Sequence, residues 1–397
     1  MLILNLGTYP PKQCGIATFS MDLRNSLLLH GNEVKVMAVS EEKNKYAYPS
    51  EVVFEIDHQH QPDYIKAASF INSQPDIDLL IIQHEYGIFG GRDGEYIMDL
   101  VGLLEKPYVL VTHTVLPNPS RNCKSILNYL AGRASAIVSM TKNSLQMMSD
   151  LYEAPAELIY LIAHGVPEFK AQENKLLKRR YGLQGREVVS TFGLIGPGKG
   201  LELGIEAVAS LTSKFPQLIY LILGRTHPML VKYEGERYRH MLENKVIQLE
   251  IKNQVRFVNK YLSNEELGEY LYMSDIYLSP YPNKDQAVSG TMAFALGCGR
   301  AIVSTPYSYA LETLSEGRGL VAKEADAEEL AALMESILQN PALKLDLQKK
   351  AFRLGKHWTW SSVGQQYTKM FKSMLDADSE FLWKDKTATY GNLPTFS

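Results

Sequence analysis

Short runs that are apolar at nearly every position return along the whole chain, with segments of helical spacing between them. The first covers residues 2–6 and stops before Pro10 and Pro11, because proline cannot donate to a strand ladder. Comparable runs follow at 34–39, 52–56, 79–83, 109–112, 136–140 and 158–162. Helical patterns near 15–29, 64–72, 95–104, 123–131 and 143–152 lie between most of them. A strand that is apolar on both faces must be covered on both faces, so the alternation predicts a parallel sheet between two helical layers.

The rhythm lapses in the polar stretch PEFKAQENKLLKRRYGLQG and then restarts. Strands are predicted at 188–192, 219–223, 255–258, 276–279, 301–305 and 319–321, with helices at 201–211, 229–251, 265–272, 327–338 and 342–356. The expected fold class is α/β, with two doubly wound Rossmann-like domains facing across a cleft. Their expected bounds are residues 1–167 and 168–357. Residues 358–397 are expected to supply a last helix, 361–375, that crosses back to the first domain, followed by a tail.

With 41 basic against 44 acidic residues and a net charge of −3, nothing calls for a nucleic acid or an anionic membrane as partner. No apolar run reaches the roughly 18 residues of a membrane span, and the N-terminus has no basic leader pattern, so a cytoplasmic location is expected. Cys14, Cys123 and Cys298 are too few and too scattered for a disulfide framework or a zinc site.

The chemistry is expected where strands end and helices begin. A helix start leaves unpaired N–H groups that can hold an anion. In SPYPNKDQAVSGTMAFALGCGRAIVS, a turn at Ser289, Gly290 and Thr291 opens a helix after a strand. The loop FGLIGPGKG places Gly198 and Lys199 after the first strand of the second series. The first loop lacks G-x-G-x-x-G, which argues against a nicotinamide dinucleotide, yet a helix starting at Gly15 and Ile16 still aims N–H groups above the sheet. His84 with Glu85, His113, His164 and His227 all follow strand ends, where open parallel sheets bind their ligands.

Taken together, PPKQCGIATF, HGVP, the FGxxxxxKG loop and ALGCGRAIVS resemble the family-4 retaining glycosyltransferases of the GT-B fold, over residues 2–375. The resemblance implies transfer of a sugar from a nucleotide-diphosphate sugar to a carbohydrate acceptor, with retention and without a metal or other cofactor. It implies that Gly15 and the backbone after it face the diphosphate, that Lys199 binds phosphate and that His113 contacts the donor sugar. The family's two glutamates fall on Gln286 and Phe294, with Asp285 one position away, and its arginine before the lysine falls on Leu194. These departures leave two other readings: a retaining phosphorylase of the same fold, or a non-catalytic sugar-binding protein. The set expected to act on the transferred sugar is His113, Asp285 and Gln286.

Overall fold

The computed structural model describes residues 1–42 and 45–380, the last four by their backbone alone. Seven strands form the first sheet: Leu2–Gly7 (β1), Glu33–Ser40 (β2), Val52–Asp57 (β3), Leu79–His84 (β4), Tyr108–Thr112 (β5), Ala136–Ser139 (β6) and Ile159–Leu161 (β7). Six form the second: Glu187–Phe192 (β8), Leu218–Leu223 (β9), Val255–Val258 (β10), Ile276–Ser279 (β11), Ala301–Ser304 (β12) and Leu320–Val321 (β13). The orders are 3-2-1-4-5-6-7 and 10-9-8-11-12-13. Every pairing is parallel, as apolar runs joined by helices require. Each order reverses beside its first strand, so each sheet opens a crevice at its carboxyl end.

Each sheet lies between two apolar layers. The last helix, Trp360–Glu380, packs in a layer of the first sheet, where Val363, Tyr367, Met370 and Phe371 meet Phe19, Leu23 and Leu27 of the Gly15–Leu29 helix. Polar contacts fix that crossing. The Ser26 hydroxyl donates to the Trp360 carbonyl, and Asn32 Nδ2 donates to Thr368 Oγ1 at 2.9 Å. The two segments that pass between the sheets pair with each other: Val166 N donates to the Trp358 carbonyl at 2.7 Å and Trp360 N to the Val166 carbonyl at 3.0 Å. Gly165 allows this, because a Cβ there would stand 2.2 Å from Trp360 Cδ2.

The expected helix over 229–251 is two helices, Pro228–Glu234 and Arg237–Gln248. Gly235, at φ 62°, donates its N–H to the Val231 carbonyl and turns the chain there. The last helix starts one residue earlier and runs farther than its periodicity indicated, and the expected tail beyond it lies outside the described residues. Among the described residues no helix is long and apolar enough to cross a membrane.

A second contact joins the units. The Glu312 carboxylate accepts from Lys142 N at 2.8 Å and Asn143 N at 3.1 Å, at the start of the Lys142–Asp150 helix, and Asn143 Nδ2 donates to Ser308 Oγ at 2.8 Å. A carboxylate on two orphan N–H groups is favoured by the helix dipole as well as by the hydrogen bonds. Glu312→Ala is expected to cost about 1 kcal/mol, read as a lower Tm. Small-angle scattering should show a larger radius of gyration, and an unchanged radius would mean that this contact does not hold the units together.

Candidate functional site

A cavity of about 1120 Å3 lies between the carboxyl ends of the two sheets. On the first side its wall includes Gly15, Ile16, Glu85, His113 and His164, and on the second Gly198, Lys199, His227, Gln286, Ser289, Gly290 and Thr291. Twelve of the fourteen residues expected from the sequence thus meet around one space. His84 and Asp285 do not line it. His84 is fully buried behind the wall, its ring edge-on to Tyr86 at 4.8 Å and neither nitrogen bonded, and burial lowers its pKa to about 4. Asp285 is exposed: Asn283 Oδ1 accepts from Asp285 N at 3.1 Å, and this turn leaves Asp285 outside the wall while Gln286 reaches it.

Local sequence explains the placement. The Gly15–Leu29 helix begins where the Cys14 thiol accepts from Ala17 N, and Gly15, Thr18, Phe19 and Asp22 run along the cavity at helical spacing. The Gly290–Gly297 helix is capped by Ser289 Oγ, which accepts from Met292 N at 3.3 Å. Both helices therefore present N-terminal backbone groups to the same space.

His113 is held by a polar relay. Its Nε2 is 2.8 Å from Gln83 Oε1, while Gln83 Nε2 donates to Asn5 Oδ1 at 2.9 Å. Because that amide oxygen can only accept, the proton sits on Nε2 and Nδ1 is left as an acceptor. Burial above all, then His164 and His84, lowers the His113 pKa to about 3, so the ring is neutral at physiological pH. The Phe19 ring meets His113 edge-on at 4.7 Å and His164 at 5.1 Å. His164 Nδ1 is fixed by its neighbour's carbonyl, that of Gly165, at 2.8 Å.

Lys199 Nζ donates to Tyr281 Oη at 2.5 Å, and that hydroxyl lies 2.7 Å from Thr291 Oγ1. The Tyr281 ring stacks on Tyr307 at 5.2 Å. Burial opposes ionisation of Tyr281, but the Lys199 charge outweighs it and brings the phenol below its ordinary pKa. No carboxylate pairs with Lys199 among the described residues. Phe294, by contrast, stands in an aromatic wall, stacked on Phe192 at 6.1 Å and edge-on to Phe169 at 5.8 Å. It offers nothing to a hydroxyl.

Among the wall residues that sequence reasoning missed are Asp22, Arg225 and Tyr281. Asp22 could have been found, since it lies two turns beyond Gly15 on the same helix face. Of the acids in the wall, Glu41 is engaged by Lys12 at 3.2 Å, Lys45 at 3.3 Å and Tyr46 at 2.8 Å. Glu85 accepts from Thr114 at 2.5 Å and from Tyr86 N at 3.0 Å. Asp22 is 9% exposed, and its Oδ2 has no partner. Burial raises its pKa to about 7, the neighbouring Trp360 offsetting only part of the rise.

Residues 174–354 match the family model described as "Glycosyl transferases group 1". The matched segment makes up somewhat less than half of the chain. The chain is 22% identical over 251 residues to the alpha-D-kanosaminyltransferase of Streptomyces kanamyceticus, 61% of each chain. It is also 22% identical over 209 residues to a GDP-mannose-dependent alpha-(1-6)-phosphatidylinositol monomannoside mannosyltransferase of Mycolicibacterium smegmatis, 51% of this chain and 52% of that protein. The chain thus spans between about half and 61% of the length of these curated relatives. Among solved structures, Anabaena Alr3699/HepE in complex with UDP superposes with a TM-score of 0.77 at 17% identity, covering 94% of this chain and 100% of that one. A sucrose-phosphate synthase from Thermosynechococcus elongatus gives 0.77 at 15% identity, covering 95% and 100%. The fold is GT-B.

The unpaired Asp22 carboxyl sets a pH test. Its folded pKa, about 7, lies above its ordinary value, so the folded state binds the extra proton and stability falls as pH rises through that window. The Tm advantage of Asp22→Asn over the parent is expected to grow from pH 5 to pH 8. A constant difference in Tm across that range would mean that Asp22 is ionised throughout.

Proposed function

We propose that this protein is a retaining glycosyltransferase. It moves a hexosyl unit, mannosyl or glucosyl, from a nucleotide-diphosphate sugar held by the second unit to a carbohydrate or glycoconjugate held by the first. The observation that carries the reading is the convergence on one cavity of an ammonium without a carboxylate partner, Lys199, and two helix N-termini, at Gly15 and Gly290. That set suits a group whose negative charge grows as a bond to phosphate oxygen breaks. In the proposed step the anomeric carbon to phosphate oxygen bond breaks and a bond to the acceptor hydroxyl oxygen forms. The hydroxyl proton leaves with the diphosphate.

His113 Nδ1 is available to accept from a hydroxyl of the sugar. Gln286, its Nε2 tied to the Val288 carbonyl at 2.8 Å, presents Oε1 beside the positive charge that develops on the ring. The relatives named for kanosaminyl and GDP-mannose-dependent transfer, and the structural neighbours holding UDP and UDP-glucose, support a nucleotide sugar as donor. Phe294 supports a second reading, a phosphorylase, because a sugar phosphate needs no ribose contact.

The test is incubation with UDP-glucose, GDP-mannose and related nucleotide sugars, scoring released nucleoside diphosphate, alongside a mixture of inorganic phosphate and oligosaccharides scored for sugar phosphate. The transferase reading expects the first product and the phosphorylase reading the second; neither product would leave the non-catalytic reading. Lys199→Ala is expected to lower turnover roughly ten- to a hundredfold, the worth of one charge-assisted contact. His113→Ala should lower turnover far more than Tm. A collapse of Tm instead would make the histidine structural.

A further inference from the structure

The cavity wall holds two kinds of cation. On the first side Lys12 and Lys45 both pair with Glu41, at 3.2 and 3.3 Å, and their charge is partly met. On the second, Lys199 rests on a hydroxyl and Arg225 has no acidic partner among the described residues. The Arg225 Nε is buried without an acceptor. A buried donor left unsatisfied is costly, and a guanidinium is the group least able to lose its charge to escape that cost.

The register places this arginine next to the lysine loop. β8 and β9 pair with Phe192 opposite Leu223, and the same offset continues past the strand ends. Gly193 N donates to the Leu223 carbonyl at 3.0 Å, Ile195 N to the Arg225 carbonyl at 2.8 Å and His227 N to the Ile195 carbonyl at 2.8 Å. Leu194 and Arg225 are therefore register neighbours, and the loop that begins at Leu194 ends at Lys199. His227, two residues beyond Arg225, has its pKa lowered first by burial and then by the Lys199 charge. Two uncompensated cations on adjacent loops thus face one space.

We propose that Arg225 is a ligand of the donor's diphosphate, acting with Lys199. This rests on the reading of the second unit as a nucleotide-diphosphate site and names a residue of it. Lys199 supplies a point charge, while the guanidinium fork can bridge two oxygens of the same group and give Nε the acceptor it lacks.

Calorimetric titrations with UDP, GDP, uridine and inorganic pyrophosphate test the assignment on the parent chain, Arg225→Ala, Arg225→Lys and Lys199→Ala, with Tm recorded for each. The expected result is a ten- to a hundredfold weaker binding of UDP or GDP and of pyrophosphate by Arg225→Ala, with uridine unchanged and only partial recovery in Arg225→Lys. If Arg225→Ala fails to fold, the comparison of Arg225→Lys with the parent carries the test, because lysine keeps the charge and loses the fork. Undiminished diphosphate binding by a folded Arg225 variant overturns the assignment and leaves the donor reading standing. Pyrophosphate binding that needs Arg225, with no binding of either nucleotide, upholds the anion site and overturns the nucleotide reading. If the parent binds none of these, both fall.

Discussion

The pairing of the two inter-unit segments, Val166 against Trp358 and Trp360, determines how the sheets face each other. It is short, with two backbone hydrogen bonds, but Trp360 anchors it on Gly165 and Phe19 and begins the helix that packs against the first sheet. The same tryptophan borders Asp22, and its neighbour Phe19 touches both His113 and His164. The segments that join the units and the cavity wall therefore share side chains.

Charge in the cavity follows from which partners are already taken. Glu41 and Glu85 are satisfied by neighbours of their own unit, and Asp22 is held toward neutrality by burial. Lys199 and Arg225 have no carboxylate partners among the described residues. The second side is thus left positive without any excess of basic residues in the chain as a whole. An anion gains more from two desolvated cations than from the same cations on an open surface. The aromatic wall at Phe294 adds apolar area and no polar group.

The fold was legible because its signal is repeated: among the described residues there are thirteen strands, nearly all apolar runs, each closed by a turn or helix start. The helix over 229–251 was misread because Gly235 looks like one tolerated glycine in an amphipathic pattern, and only its positive φ shows the break. Most of the expected site residues reach the wall because strand ends are where parallel sheets bind ligands, which picks out His113, His164 and Lys199 without knowledge of contacts. That rule failed for His84, which is packed away behind the wall, and for Asp285, which a local turn sends to solvent. Arg225 was hidden for another reason: the sequence shows Leu194 as a missing cation, and only the strand register reveals the arginine beside it. The Gln83 to Asn5 relay behind His113 joins strands 78 residues apart, a coupling no local pattern carries.

On the proposed function, the space between the sheets holds a nucleotide-diphosphate sugar with its phosphates at the second unit. The most direct test is diffraction from crystals grown with UDP-glucose and, in parallel, with GDP-mannose. Diphosphate density is expected between Lys199 and the start of the Gly290–Gly297 helix, with the sugar directed toward His113. A diphosphate bound anywhere else in the molecule, or the nucleotide reversed so that its base lies against His113, would contradict it.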